Sequence, residues 1–234
     1  MLDPEWLLQV SFWIDLLLEQ IEILFQDEYL IAINKPSGLL TIQDGYKPYL
    51  PNLKSQLDDQ FGKVYIVHRL DKETSGILIF AFSPDSHRKL SVDFENRKIK
   101  KEYRAVIIGD LNQDSLTIDL PLRVNGDRRH RTIVDHQRGK PSITQINFLK
   151  FHYTNSVVSA FPKTGYTHQI RAHLSAINHP IVNDPLYNPH QMDDQNYPQR
   201  LILHAYKITF LHPFNQQIIE LTAPIPSELS FLEG

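Results

Sequence analysis

Apolar positions along the chain follow two patterns. The first is the short unbroken run of β-branched and aromatic residues between turn formers. Val64–Val67 and Ile77–Phe80 are such runs and predict two strands. The polar segment between them ends in Ser75-Gly76 and predicts a loop. Residues 23–34 predict two strands around the acidic turn Asp27-Glu28, and further strands are expected over 99–106, 116–122, 143–151 and 157–161. The second pattern is apolar residues three or four apart. Trp6, Leu7, Val10, Trp13, Ile14, Leu17 and Leu18 predict an amphipathic helix over residues 1–20, with Asp3-Pro4 as N-cap and first helical position. Leu53, Leu57 and Phe61 predict a short helix stopped by Gly62. Leu90 and Phe94 mark a helix from Ser83-Pro84 to about Lys98. Ile170, Leu174 and Ile177 share the face of a helix entered through Gly165. Residues 39–50 fit neither pattern and predict irregular structure. Many strands with few helices predict an α+β fold, with 1–20 as a helical extension and 21–234 as the main domain.

Composition narrows this picture. The 234 residues, 41% of them hydrophobic, suffice for one large or two small domains with a proper core. No run approaches eighteen apolar residues, so no membrane span is expected. The first twenty residues lack a basic start and are interrupted by Glu5, Asp15 and Glu19, unlike a signal peptide. Cysteine is absent, which excludes disulfides, cysteine nucleophiles and thiolate metal sites and is compatible with a cytoplasmic location. A net charge of −3 argues at first against nucleic acid. Yet residues 1–28 hold seven acidic side chains and no Lys or Arg, leaving 24 basic against 20 acidic residues beyond them. From Arg97 to Lys140 there are eleven basic and six acidic residues. That balance suits a solvated surface or a face that grips phosphates.

Candidate chemistry sits at four places. Asp71 lies in the loop between two buried strands, where a scaffold can fix a reactive group. It could equally be a turn residue bonded to its own backbone. Asn34-Lys35-Pro36-Ser37-Gly38 is a defined turn at a strand end, in which Lys35 is either structural or meets a phosphate. Tyr103, in Lys101-Glu102-Tyr103, is either a core tyrosine or a stacking platform for a base. The cations around Arg97–Lys101 also suit a helix C-terminus. Residues 123–142, with Arg128, Arg129 and Arg131, predict an exposed basic hairpin or loop. In Thr164–Leu174, Arg171 and Leu174 are helical neighbours. His168 and His173 are five apart, do not share a helical face and lack an acidic partner, so no metal is expected.

His68-Arg69-Leu70-Asp71-x-x-Thr74-Ser75-Gly76 resembles the catalytic motif of the RluA-type RNA pseudouridine synthases. Asn34–Gly38, Lys101-x-Tyr103 with its strand, and Thr164-Gly165-Tyr166-Thr167-His168-Gln169-Ile170-Arg171-Ala172-His173-Leu174 resemble three more motifs of that family, in the expected order. With similar segments near 180–184, 201–205 and 209–214, the likeness spans about residues 21–226. It implies a mixed, mainly antiparallel sheet bent into two halves around a catalytic cleft. It implies isomerisation of uridines in ribosomal or transfer RNA, with no cofactor, metal or second substrate. Asp71 would be the catalytic carboxylate, Arg171 its cationic partner favouring the ionised form, Tyr103 the residue over the uracil ring and Leu174 the floor. His68, Thr74 and Gly76 would support the site. Arg69 would fill the space left by the flipped base, and Lys35, Arg128, Arg129, Arg131 and His168 would face RNA. RNA would be the partner of a monomer with no obligate protein partner. Two departures stand out. Tyr166 replaces an arginine of the motif, and residues 1–20 are too few for the S4 domain of longer members. Two other readings remain: an inactive RNA-binding protein of the same fold, and a glycosidic hydrolase using Glu73 as second carboxyl.

Overall fold

The computed structural model describes residues 21–189 and 194–233, so the expected helix over 1–20 lies outside the described residues. The chain forms two compact units, one up to Val92 and one from Asp93. Together they make an α+β protein whose strand ladders within each unit are antiparallel.

In the first unit, β1 (Glu22–Gln26), β2 (Leu30–Lys35), β3 (Tyr65–Ile66) and β4 (Ser75–Ala81) pair in the order β1-β2-β4-β3. The acidic turn forms because the Asp27 carboxylate accepts the backbone N–H groups of Tyr29 and Leu30. All seven residues of β4 are buried, as are Leu30 to Ile33 of β2, which explains their unbroken apolar runs. Helix α1 (Leu53–Phe61) is capped by Asn52, whose side chain accepts the Ser55 N–H, and stops at Gly62 with φ +77°. Helix α2 (Pro84–Glu95) starts where the Ser83 hydroxyl accepts the Ser86 N–H. It ends three residues before the expected Lys98, because Arg97 turns left-handed at φ 59°. The strand expected over 64–67 shrinks to the two residues of β3; the Val64 N–H goes instead to the Asp58 carboxylate at 2.8 Å.

In the second unit, β5 (Lys100–Ile107), β6 (Ser115–Asp119), β9 (Ile143–His152), β10 (Asn155–Pro162), β11 (Leu203–Leu211) and β12 (Ile218–Thr222) pair in the order β12-β11-β5-β10-β9-β6. Between β6 and β9, β7 (Leu122–Arg123) and β8 (Ile133–Val134) make the small hairpin expected in the basic segment. Helix α3 (Gln169–Ala176) packs Ile170 and Leu174 into a core with Ala105, Val106, Val158 and Leu203. It begins later than Gly165, because His168 at φ 56° holds the preceding turn left-handed. A 3-10 segment, Ser227–Leu232, closes the core with Leu229 and Leu232.

Candidate active site

The Asp71 loop is clasped from one side by the turn that follows β2. The Lys35 ammonium donates to the carbonyls of Pro36 at 2.8 Å, Leu39 at 2.7 Å and Lys72 at 3.0 Å. Three carbonyls match the three donors of an ammonium group. Gly38 N–H also donates to the Lys72 carbonyl, the Ser37 hydroxyl to Glu73 and the Thr41 hydroxyl to Leu70. Lys35 has no exposed surface, so the expectation that it faces RNA is corrected: it is the pin of the clasp. Across the loop, His68 accepts the Ile79 N–H through Nε2, and the Asp71 carbonyl accepts the Thr74 N–H. Thr74 is buried, and Gly76 enters β4 at φ +107°, a conformation that disfavours any side chain. Asp71 is half-buried in this frame, whereas Arg69 and Lys72 on either side are exposed.

In the second unit, Tyr103 stands in β5 opposite Ala160 of β10 and Ala205 of β11. Small neighbours on both sides leave room around its ring. Two residues earlier, Lys101 donates to the Thr164 carbonyl at 3.3 Å, tying the tyrosine strand to the turn before α3. Burial pushes the Lys101 ammonium down to about 8. On the other face of β5, Glu102 accepts the Ser159 hydroxyl and pairs with Arg104 at 3.1 Å.

Arg171 is 4% exposed, and its guanidinium grips Asp184 through Nε and Nη2, both at 2.8 Å. Asp184 itself caps the turn after Ile181 by accepting the N–H groups of Leu186 and Tyr187. The Tyr187 ring lies 5.2 Å from the Arg171 guanidinium and 5.8 Å from that of Arg131. Its hydroxyl donates to the Thr132 carbonyl, accepts the Thr132 N–H and reaches His168 Nδ1 at 3.4 Å. Thus Arg131, His168 and Arg171, three separate candidates, meet around Tyr187. Arg131 is also paired with Asp127 at 2.7 Å. Arg128 and Arg129 are exposed near the tip of the β7–β8 hairpin.

The remaining polar residues of the α3 motif serve the scaffold. Thr164 donates its hydroxyl to Gln169 Oε1, and Gln169 Nε2 donates to the Ile143 carbonyl and Thr144 hydroxyl. His173 contacts the Thr144 hydroxyl through Nδ1 and the Leu120 carbonyl through Nε2. Because that carbonyl can only accept, Nε2 carries the proton, and burial lowers the affinity of the ring for a second one. Tyr166 is half-buried, with its N–H given to Gln169 Oε1. Leu174 is fully buried in the core. Asp184, Tyr187 and Thr132 were not singled out from sequence as site residues. The segment Asn183-Asp184-Pro185-Leu186-Tyr187, an Asp-Pro turn beside apolar residues, was the available signal for the first two.

Residues 29–176 match the sequence profile of the RNA pseudouridylate synthase family. The dual-specificity RNA pseudouridine synthase RluA of Pasteurella multocida (strain Pm70) is 36% identical over 205 residues, 87% of this chain and 93% of that protein. The tRNA pseudouridine synthase C of the same organism is 35% identical over 89% of this chain and 93% of its own. Among solved structures, human RNA pseudouridylate synthase domain containing 1 superposes with a TM-score of 0.73 at 26% identity, covering 89% of this chain and 85% of that one. With matches of this extent, the chain belongs to the RNA pseudouridylate synthase family.

Proposed function

We propose that this protein is an RNA pseudouridine synthase that isomerises particular uridines in ribosomal RNA, transfer RNA or both. The observation that supports it most is the family match, which contains the whole Asp71 motif on a loop locked by the Lys35 clasp. The reaction breaks the bond from uracil N1 to ribose C1′, turns the base and joins C5 to C1′. The proton on C5 leaves and N1 gains one, so atoms balance without a second substrate. Asp71 either attacks C1′ or removes a ribose proton to open the bond. Tyr103 lies over the ring and assists proton transfer at C5. Arg171 is the cation that the resemblance assigns to this reaction, and Asp184 holds its guanidinium in one orientation. The uridine leaves its stack at a cost of a few kcal/mol, and exposed Arg69 fills the gap.

An inactive RNA-binding protein would have no need of Asp71, Tyr103 and Arg171 together, and a hydrolase needs a second carboxyl, for which Glu73 is the candidate although the family motif does not require it. The test is a transcriptome-wide pseudouridine map of cells lacking the gene, rescued with wild type or Asp71→Ala. A site that vanishes and returns only with wild type is the expected result. Equal rescue by Asp71→Ala, or no changed site, would overturn the reading.

A further inference from the structure

The segment between the Lys35 turn and α1 was expected to be irregular, and it is an ordered closed loop. Its ends meet in a bridge between Leu40 and Asn52, and the N–H groups of Leu53 and Lys54 donate to the carbonyls of Leu40 and Thr41. Inside, the Asp44 carboxylate accepts the N–H groups of Tyr46 and Lys47, both at 2.8 Å. The Gln43 side chain donates to Pro48, and Leu50 N–H to Lys47. Such a compact surface loop with adjoining ends holds its own shape. Yet its tip presents a tyrosine ring that is 92% exposed, Tyr46, beside exposed Lys47. The loop is joined to the catalytic segment by the Thr41 hydroxyl bond to Leu70, one residue before Asp71. The two bonded N–H groups keep the Asp44 carboxyl below its usual range, and Lys72, one residue after Asp71, adds to this through its charge.

We propose that Tyr46 is an RNA-binding residue that stacks on an unpaired base next to the target uridine, with Lys47 on the adjoining phosphate. This inference rests on the functional reading above and adds to it a determinant of substrate choice. An aromatic face accepts any base, and one held on a preformed loop binds with little ordering cost. The exposed cations Lys47 and Lys72, both of whose charges reach the Asp44 carboxyl, give the patch the charge an RNA strand needs. Since every base offers a face, the selectivity lies in which loop shapes place an unpaired base within reach of the ring.

The experiment uses the full chain and a labelled RNA hairpin with a seven-nucleotide loop holding one uridine and a neighbouring 2-aminopurine. Affinity is read by anisotropy, stacking by 2-aminopurine quenching, and turnover separately on bulk RNA from cells lacking the gene. Tyr46→Ala should weaken hairpin binding about tenfold and abolish the quenching, raise KM by a similar factor and leave kcat within twofold. Tyr46→Phe should behave as wild type, and Asp44→Ala, which releases the turn, should weaken binding several-fold. Tyr46→Ala binding within twofold of wild type, or wild type failing to bind the hairpin, overturns the proposal. Wild type that binds but forms no pseudouridine in bulk RNA defeats the functional reading, and the affinities alone then decide the role of Tyr46.

Discussion

The loop that carries Asp71 is gripped through its backbone, whereas Arg171 is gripped through its side chain. Carbonyls of Leu70, Lys72 and Glu73 accept bonds from Thr41, Lys35 and Ser37, so the frame is set around the carboxylate. In the second unit the guanidinium itself is locked by Asp184 and covered by Tyr187. The difference follows from what each group does. A carboxylate that must meet a substrate is best aimed by a rigid main chain. A long cation with many rotamers needs its own tip held.

The largest expected effect lies on the backbone side of this contrast. Lys35→Met removes the donor that satisfies three carbonyls in a buried place. Loss of about 3–5 kcal/mol of stability is expected, with the melting temperature falling by roughly 10 °C. A thermal melt that moves by less than 2 °C would mean the clasp does not hold the loop. On the side-chain side, Asp184→Asn keeps the shape but strips the charge that grips Arg171. Turnover should fall about a hundredfold while circular dichroism at 25 °C stays native. Activity near wild type would show that Arg171 is aimed by something else, and the contrast would fail. The smallest effect is a pH dependence confined to the second unit. Burial lowers His173 and pushes His204 down to about 4, below the ordinary histidine value of 6.5. The folded state therefore binds fewer protons than the unfolded chain below 6.5. Stability is fully present above that pH and is lost as pH falls, toward about 4 for His204, at a rate on the order of 1 kcal/mol per pH unit from that residue. Urea denaturation at pH 7 and 5 measures the slope, and His204→Asn should flatten it whatever its effect on the midpoint.

Much of this was legible in the sequence. The Ile77–Phe80 run marked β4 because strands buried on both faces cannot alternate, whereas the Asp71 motif stood out only through its resemblance to a family signature, the loop by itself reading equally as a turn. Of the two roles open for Lys35, the structural one holds, and the RNA-facing one fails because the side chain is buried. Nothing local tells that its ammonium finds a carbonyl 37 residues later. Asp184 was missed for the same reason, being tied to Arg171 across thirteen residues. The start of α3 was placed early because the left-handed turn falls on His168 and not on Gly165, the residue type that most readily adopts it. What escaped detection is long-range polar pairing, whereas apolar periodicity, a local property, was readable.

The bridge between Leu40 and Asn52 also bears on how such enzymes diversify. Because the chain returns beside its point of departure, residues between these positions can be lengthened, shortened or exchanged without shifting β2 or α1. Doubling the excursion costs only about 0.6 kcal/mol of closure entropy. A transplanted segment from a relative would then arrive as a cassette, carrying a new choice of RNA to an unaltered reaction centre.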